Sequence, residues 1–476
     1  MPRANSRHTP GNSVAIVGGG FTGSMLAVQL LRQSGGRVSV VLVERGEEPG
    51  LGVAYGTEFH GHLLNVRARN MSAYADDPEH FVRWAQAHYS PLAQADDYLP
   101  RAVYGRYVRA QFQETAQDYP EQLRCIQGEA AAVALHGQSA TVSLASGETV
   151  AADKVVLALG NFPPSDLAIP GKTPDSKRFV SNPWSRQWLD HAGEDTSVLL
   201  IGSGLTSVDV TVELRARGLQ GTIHVLSRRG QMPQRHMHVD ALTMPRLEEV
   251  PRTVRGLLRW MRRQTRAAEE QGLTWRSVVD ALRPINQQIW QSLSRPERRR
   301  FLRHGRAYWD VHRHRIAGAI ADQLADESAR GQLQVHAGRL TEYAEDASGV
   351  TVAYRERGSG EVRQLRVDRV INCTGPDGDF RRVESPLVTD LLQQGLGRPD
   401  ELLLGLDVAD DGALLDGQGK PSSCLFALGP LRKGSLWESI AVPELRVQIA
   451  ELAELLAAQQ PAEAAEPAEL AASHRA

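Results

Sequence analysis

The chain has 476 residues, with 54 Lys+Arg against 56 Asp+Glu and a formal net charge of −2. That length holds two or three domains with sizeable cores and excludes a peptide or a disulfide scaffold. Balanced charge gives no overall electrostatic reason for a nucleic-acid or anionic-membrane partner, and three cysteines without a Cys-x-x-Cys pair exclude a local zinc ribbon or dithiol.

Residues 1–12 are polar and aperiodic, with no apolar segment of the signal-peptide kind, and are expected to be disordered. No stretch of the chain approaches the ~18 uninterrupted apolar residues of a membrane span. With the unpaired cysteines, these features lead to the expectation of a cytoplasmic protein.

A strand at Val14–Val17 runs into Gly18-Gly19-Gly20-Phe21-Thr22-Gly23, which opens a helix over Ser24–Gln33. In such a turn Gly18 permits the tight bend, Gly20 lets backbone approach a pyrophosphate, and Gly23 brings helix close to strand. A second strand, Val38–Val43, ends at Glu44, 21 residues past Gly23, where a carboxylate can accept hydrogen bonds from a ribose diol. The unit recurs downstream. SVLLIGSGLTSVDVTVELR from Ser197 carries Gly202-Ser203-Gly204-Leu205-Thr206-Ser207, with Ser207 at the third small position, and its second strand, Thr222–Leu226, leads to Arg228-Arg229.

Gly18 to Glu44 and Gly202 to Arg228 both span 26 residues, so by spacing one slot holds an anion in the first unit and a cation in the second. A carboxylate would repel a 2′-phosphate, whereas Arg228 and Arg229 can clamp it with charge-assisted hydrogen bonds. The first site therefore suits FAD or NAD and the second NADP. A flavin and a nicotinamide make a redox pair, which assigns FAD to the first site and NADPH to the second.

Three further apolar runs stop at glycine: DKVVLALG ending at Gly160, DRVINCTG ending at Thr374-Gly375, and CLFALGP ending at Gly429-Pro430. They read as buried strands delivering a loop to a ligand. From about Asp240 to Gln323 the pattern is helical and basic, and residues 332–371 alternate like strands around the Gly358–Gly360 turn. The expected fold is α/β, with two Rossmann-like three-layer domains. An FAD domain occupies 13–165 and 365–456; it is interrupted by an NADPH domain at 166–364, whose helical insertion covers about 240–323, and a disordered tail follows at 457–476.

These residues resemble the two-dinucleotide-binding-domain flavoproteins, and among them a bacterial group of FAD/NAD(P)-binding proteins. Beyond the Gly-rich turns, the resemblance rests on Gly52-Val-Ala-Tyr55, His62-Leu-Leu-Asn-Val66 with Met71-Ser-Ala73, Pro100-Arg101 with Tyr104 and Tyr107, and Asn182-Pro-Trp184. It continues through Trp275-Arg276, Trp309-Asp310-Val-His-Arg-His-Arg315, Asn372-Cys-Thr-Gly-Pro376, Trp437-Glu438 and Val442-Pro-Glu-Leu-Arg446. The resemblance implies that Tyr55 to Tyr74 lies along FAD with Asn65 and Met71 near the flavin ring, and that Ala427 to Pro430 sits beside it. The chain departs from the group at Arg67, where Pro is usual.

Disulfide reduction needs two thiols within bonding reach, and Cys373 and Cys424 read instead as buried small hydrophobes. The N-hydroxylating monooxygenases carry Asp-x-x-x-(Leu/Phe)-Ala-Thr-Gly-Tyr; Asp368 to Pro376 matches its Asp, Thr and Gly in register but has Asn372, Cys373 and Pro376 where Leu/Phe, Ala and Tyr stand, a partial match. The Baeyer–Villiger fingerprint is absent, since Phe179-Val-Ser-Asn-Pro-Trp184 lacks its Gly and His. Asn182 and Trp184 can close over NADPH or anchor the linker. Arg298, Arg299, Arg300, Arg303, Arg306, Arg313 and Arg315 read as a solvated helical face, with an acidic substrate, the NADPH phosphates or a protein partner as alternatives. His312 and His314 would share a face on a strand, but no metal site is expected of them.

The sequence reading is thus an FAD-containing, NADPH-dependent oxidoreductase of monooxygenase type acting on a small molecule. A flavin reductase without oxygen insertion and a redox-sensing flavoprotein are the alternatives.

Overall fold

The computed structural model describes residues 12–185, 188–189 and 193–458. The expectations for residues 1–11 and 459–476 fall outside these, and the last helix, Val442–Ala458, takes in the first two residues of the expected tail.

The strands in chain order are β1 (Ser13–Val17), β2 (Ser39–Glu44), β3 (Leu123–Gln127), β4 (Ala130–His136), β5 (Ser139–Leu144), β6 (Thr149–Ala152), β7 (Lys154–Leu157) and β8 (Phe179–Val180). There follow β9 (Val198–Ile201), β10 (Ile223–Ser227), β11 (Leu333–Asp346), β12 (Gly349–Glu356), β13 (Val362–Val367), β14 (Arg369–Asn372), β15 (Ala413–Leu415) and β16 (Pro421–Ala427). They form a six-stranded sheet in the order β15-β16-β7-β1-β2-β3, a seven-stranded sheet β13-β12-β11-β10-β9-β14-β8, and a small antiparallel sheet β4-β5-β6. In the first sheet only β15 is antiparallel; in the second, β14, β9, β10 and the start of β11 are parallel.

One correction concerns the return of the chain to the first sheet. Residues from 365 on were expected there, but β13 and β14 pair within the second sheet, β14 directly with β9. Val370, Ile371 and Asn372 are all buried because β14 runs parallel between β9 and β8, inside the sheet, where both faces are covered.

Period-two alternation fixes both cores. Val14 and Ile16 of β1 point into one cluster with Met25, Leu26 and Leu30 of the helix Phe21–Ser34, while Ala15 and Val17 point into the other, against the small sheet and the helix Pro386–Gln393. Val198 with Leu200 and Leu199 with Ile201 divide the second unit in the same way. The duplication reaches single hydrogen bonds. Asp153 Oδ2 accepts from the Ser13 N–H and hydroxyl at 2.8 and 2.7 Å, and Asp368 Oδ2 accepts from Ser197 at 2.7 Å twice.

The helical insertion comprises Val254–Glu269, Trp275–Leu282, Asn286–Ser292, Arg295–Arg300 and Arg306–Arg313, with a π-helical turn at Phe301–Gly305. It packs through Trp260, Leu282 and Ile289 inside, and through Trp290 and Leu293 against Trp437 of the first domain. No helix among the described residues is long and apolar enough to cross a membrane.

Candidate nucleotide sites and their junction

In each sheet the chain leaves a central strand, builds one neighbour through a helix and later returns to the other side of that strand. β1 lies between β2 and β7, and β9 between β10 and β14. Such a switch point opens a crevice at the carboxyl ends of the strands, where open α/β sheets bind ligands.

Gly18 sits at φ +104 with its N–H donating to Val43 O at 2.8 Å; a Cβ there would lie 2.4 Å from Ala158 O, so only glycine fits. Gly202 repeats this at φ +110, donating to Leu226 O at 2.8 Å with a notional Cβ 2.3 Å from Cys373 O. Gly23 is required for helix approach, because a Cβ would meet Gly18 O at 1.9 Å. Ser207 takes the corresponding place in the second unit by turning its hydroxyl back to Gly204 O at 2.7 Å. Gly20 and Gly204 are the N-caps of their helices, and around Gly204 nothing lies within 4 Å of a Cβ, which leaves free N–H groups and a positive helix end for a pyrophosphate.

The strand tips revise the spacing argument. β1 pairs with β2 at an offset of 26 residues, whereas β9 pairs with β10 at an offset of 25. Ser227, not Arg228, therefore occupies the place of Glu44. The Glu44 carboxylate accepts from the N–H groups of Gly19 at 2.5 Å and Gly46 at 2.7 Å, which fixes it at the tip of β2. Ser227 accepts from the Ser203 hydroxyl at 2.9 Å and the Gly230 N–H at 3.0 Å. Arg228 follows it, exposed, with Arg357 from the end of β12 donating to its carbonyl at 3.5 Å. Arg229 turns away: its guanidinium lies 4.6 Å over the Tyr308 ring and donates to that hydroxyl at 3.0 Å, so it ties the insertion to the domain. Arg357, on a distant hairpin, has no local sequence signal.

Gly160 and Gly375, at φ +69 and +88, end β7 and β14 at corresponding points, two residues beyond Ala158 and Cys373. Thr374 and Gly375 thus lie beside the second Gly-rich turn, with the Thr374 hydroxyl bonded to Asn372 Oδ1 at 2.7 Å, and not in the first sheet as expected. Gly429, at φ +78, and Pro430 follow β16 next to Thr22 of the first helix. Met71 is 2 % exposed and packed in the first core, whereas Asn65 is half-buried at the domain junction, its carbonyl accepting from His236 Nε2 at 3.0 Å.

That junction carries a charged clamp that sequence reading missed. Arg101 donates to both oxygens of Asp209 at 2.7 and 3.0 Å and to Leu63 O at 3.1 Å. His62, 2 % exposed, lies 3.2 Å from Asp209 O and 3.6 Å from Glu213 Oε2; burial lowers its pKa, and the two carboxylates pull it back up. Beside it an open cleft of about 400 Å³ is lined by Phe59, Leu63, Val212 and Ile320 among others. Trp184 sets its ring edge-on to His62 at 6.2 Å.

Arg313 and Arg315, read as solvated, are 6 % and 3 % exposed and paired with Glu438 and Asp280. His312 and His314 stand near the C-terminus of a helix, not on a strand, and among the described residues no three His, Cys, Asp or Glu side chains group to hold a metal. Cys373, just after β14 of the second sheet, and Cys424, on β16 of the first, are buried, Cys125 is exposed, and all three are free.

The first of the two strand, turn and helix units, with its glycine cradle and anchored carboxylate, lies in the segment that a family model matches. Residues 15–162 match the family model of FAD-NAD(P)-binding domains. No curated protein matches the chain. Over 94 % of its length the chain has the fold of flavin oxidoreductases with two dinucleotide-binding domains. The L-lysine 6-monooxygenase of Pseudomonas syringae superposes with a TM-score of 0.65 at 16 % identity, over 94 % of this chain and 100 % of that one. The ornithine N-hydroxylase of Kutzneria sp. 744, with reduced FAD, NADP⁺ and L-ornithine, gives 0.61 at 15 % identity over 94 % and 99 %. The thioredoxin reductase of Lactococcus lactis gives 0.53 at 14 % identity over 94 % and 97 %.

Proposed function

We propose that the chain is an FAD-containing, NADPH-dependent monooxygenase acting on a small molecule in a reducing, cytoplasmic setting. The observation that carries the reading is the pair of equivalent strand tips: an anchored carboxylate, Glu44, in one unit, and a hydroxyl followed by an exposed guanidinium, Ser227-Arg228, in the other. A carboxylate suits the ribose diol of FAD, and the neutral hydroxyl with Arg228 and Arg357 beside it suits a 2′-phosphate.

Gly18, Gly20, Gly23 and Glu44 would hold FAD, which would supply two-electron chemistry between NADPH and a second acceptor, dioxygen in a monooxygenase. The residues hold and orient. Gly18, Gly20, Gly23 and the helix at Phe21 accept one pyrophosphate, and Gly202, Gly204, Ser207 and the helix at Leu205 the other, while Gly160, Gly375 and Gly429 close the crevices from neighbouring strands. The Arg101–Asp209 clamp keeps the two crevices facing each other. Disulfide chemistry of the thioredoxin-reductase kind has no support, since burial pushes the Cys373 thiol well above its ordinary pKa and places no second thiol near it.

The test is spectroscopic. Purified protein should be yellow or take up added FAD, and anaerobic NADPH should bleach it faster than NADH does. A colourless protein that refuses FAD would overturn the reading. After reduction, peroxide released in full stoichiometry with every small molecule tried would make it a reductase and not an oxygenase.

A further inference from the structure

The insertion and the first domain meet at a charged corner that the nucleotide sites leave unused. After β16 the chain passes Gly429–Arg432, the helical turn Lys433–Leu436, then Trp437 and Glu438 before the helix Val442–Ala458. This places Lys433 to Glu438 at the carboxyl edge of the first sheet. From the other side comes the helix Arg306–Arg313, behind the π-helical turn. Trp437 holds φ +63, a left-handed conformation rare for a bulky residue, with its ring stacked on Trp290 at 5.0 Å and met edge-on by Phe301 at 5.2 Å.

Two cations lie over that ring, Lys433 Nζ at 5.3 Å and Arg306 Cζ at 5.8 Å from its centroid. The neighbouring carboxylates are all taken. Asp310 pairs with Arg306 at 3.2 Å, Glu438 with Arg313 at 3.4 Å, and Glu444 with Arg313 at 3.1 Å and Arg283 at 3.4 Å. Four cations face three carboxylates, and among the described residues Lys433 has no carboxylate within ion-pair distance. Behind it, Arg313 is buried with its Nε unpartnered.

These groups are crowded by protein yet reachable. Arg306, Asp310 and His314 keep 41 %, 34 % and 25 % of their side-chain exposure, and Lys433 is half-buried. At the same time burial, then Arg306, brings the Lys433 ammonium down to about 8; burial raises Asp310, and burial with Arg313 brings His314 to about 3. Lys433 and Arg306, both over the Trp437 ring from opposite sides of the seam, and Asp310 beside them flank a partly exposed recess between the insertion and the first domain.

We propose that this recess receives the carboxylate of the small-molecule substrate, with Lys433 as its contact and Arg306 beside it. An anion supplies the charge that the corner lacks and gives the ammonium the partner it is missing. The proposal names the substrate class for the oxidoreductase reading and rests on it for what happens to the rest of the molecule.

The chain has only five lysines, at 154, 172, 177, 420 and 433, which makes the site assayable by trace acetylation and peptide mass spectrometry. The full chain, as purified and again with added FAD, is labelled at pH 8 with and without benzoate or succinate, and with benzamide or 1,4-diaminobutane as the non-anionic counterparts. Lys433 should be slowed about fivefold or more by the carboxylates, as mass action gives at a few multiples of Kd, and by neither counterpart, with the other four lysines unchanged. No protection by carboxylates, equal protection by the amine or amide, or protection by FAD alone would overturn the proposal. Labelling needs no turnover, so a colourless protein with a carboxylate-protected Lys433 would sink the flavin reading and leave the recess standing. In turnover, Lys433→Met should raise KM for a carboxylate substrate about tenfold and Lys433→Arg much less, with the NADPH dependence unmoved.

Discussion

Ser227 stands in the second nucleotide site where Glu44 stands in the first, each one residue beyond the carbonyl that accepts from the first glycine of its turn, Leu226 O for Gly202 and Val43 O for Gly18. The difference between the sites is a carboxylate exchanged for a hydroxyl, with a guanidinium added one residue later. A hydroxyl is neutral toward a 2′-phosphate, and the discrimination rests on Arg228.

Arg228→Glu should accordingly weaken NADPH far more than NADH. A hydrogen bond between charged groups contributes about 1.5–3 kcal/mol, so the expected loss is roughly 10- to 100-fold in kcat/KM for NADPH, with NADH changed by a fewfold at most. Ser227→Glu should act in the same direction by restoring the anion of the first site. Stopped-flow bleaching of the flavin by each nicotinamide measures both, and equal effects on the two nucleotides would remove Arg228 from the site.

Three glycine substitutions should separate folding from binding. Gly202→Ala forces a Cβ to 2.3 Å from Cys373 O at φ +110, and Gly18→Ala one to 2.4 Å from Ala158 O at φ +104. Each should cost several kcal/mol, on the order of the severe backbone cases, and lower the melting temperature. Gly204→Ala meets nothing within 4 Å, so its melting temperature should hold while NADPH binding falls, because the methyl occupies the space of the pyrophosphate. Calorimetry beside nucleotide titration distinguishes these outcomes.

The duplicated units were legible because a β-branched run, a Gly-rich turn and an amphipathic helix are local signals, and glycine is required wherever Gly18 and Gly202 turn left-handed. The one-residue offset between Glu44 and Arg228 was not legible. The second unit has a shorter helix, Leu205–Ala216 against Phe21–Ser34, and a longer link to its next strand, and only strand register reveals the net change of one residue. The membership of β14, Arg369–Asn372, in the second sheet was hidden for the same reason, since a buried parallel strand reads alike in either sheet. Arg101 with Asp209 and Arg313 with Glu438 join residues more than a hundred positions apart, and charges in a helical pattern look solvated until their partners are seen.

The interdomain clamp should be tested by removing one side of it. Arg101 and Asp209 keep 16 % and 11 % of their side-chain exposure, so Arg101→Met leaves a buried carboxylate uncompensated. The expected loss is about 3–5 kcal/mol, whereas Arg101→Lys, which keeps the charge and loses the two-pronged geometry, should lose less. Because the clamp joins the domains, chemical unfolding should also split into two transitions. A single unsplit transition at unchanged midpoint would mean that apolar contacts alone hold the junction.

Acid should destabilise the junction through its histidines. Burial, then the Arg315 charge, lowers the His236 pKa from 6.5 to about 4. The groups around it that also bear on this are Asp280 and Arg67, one raising and one lowering, together with its bond to Asn65. A depressed histidine binds its proton in the unfolded chain first. As pH falls below 6.5 the unfolded state takes up a proton that the folded state refuses until about 4, so stability drops across that window. His62 is lowered in the same sense. Asp310 and Glu438, both raised by burial, oppose the trend by protonating earlier in the folded protein. The histidine contribution is therefore isolated with His236→Gln, whose amide can still donate to the Asn65 carbonyl. Between pH 6.5 and 4.5 the melting temperature of this variant should fall less steeply than that of the parent, and parallel curves would show that His236 is already protonated in the fold.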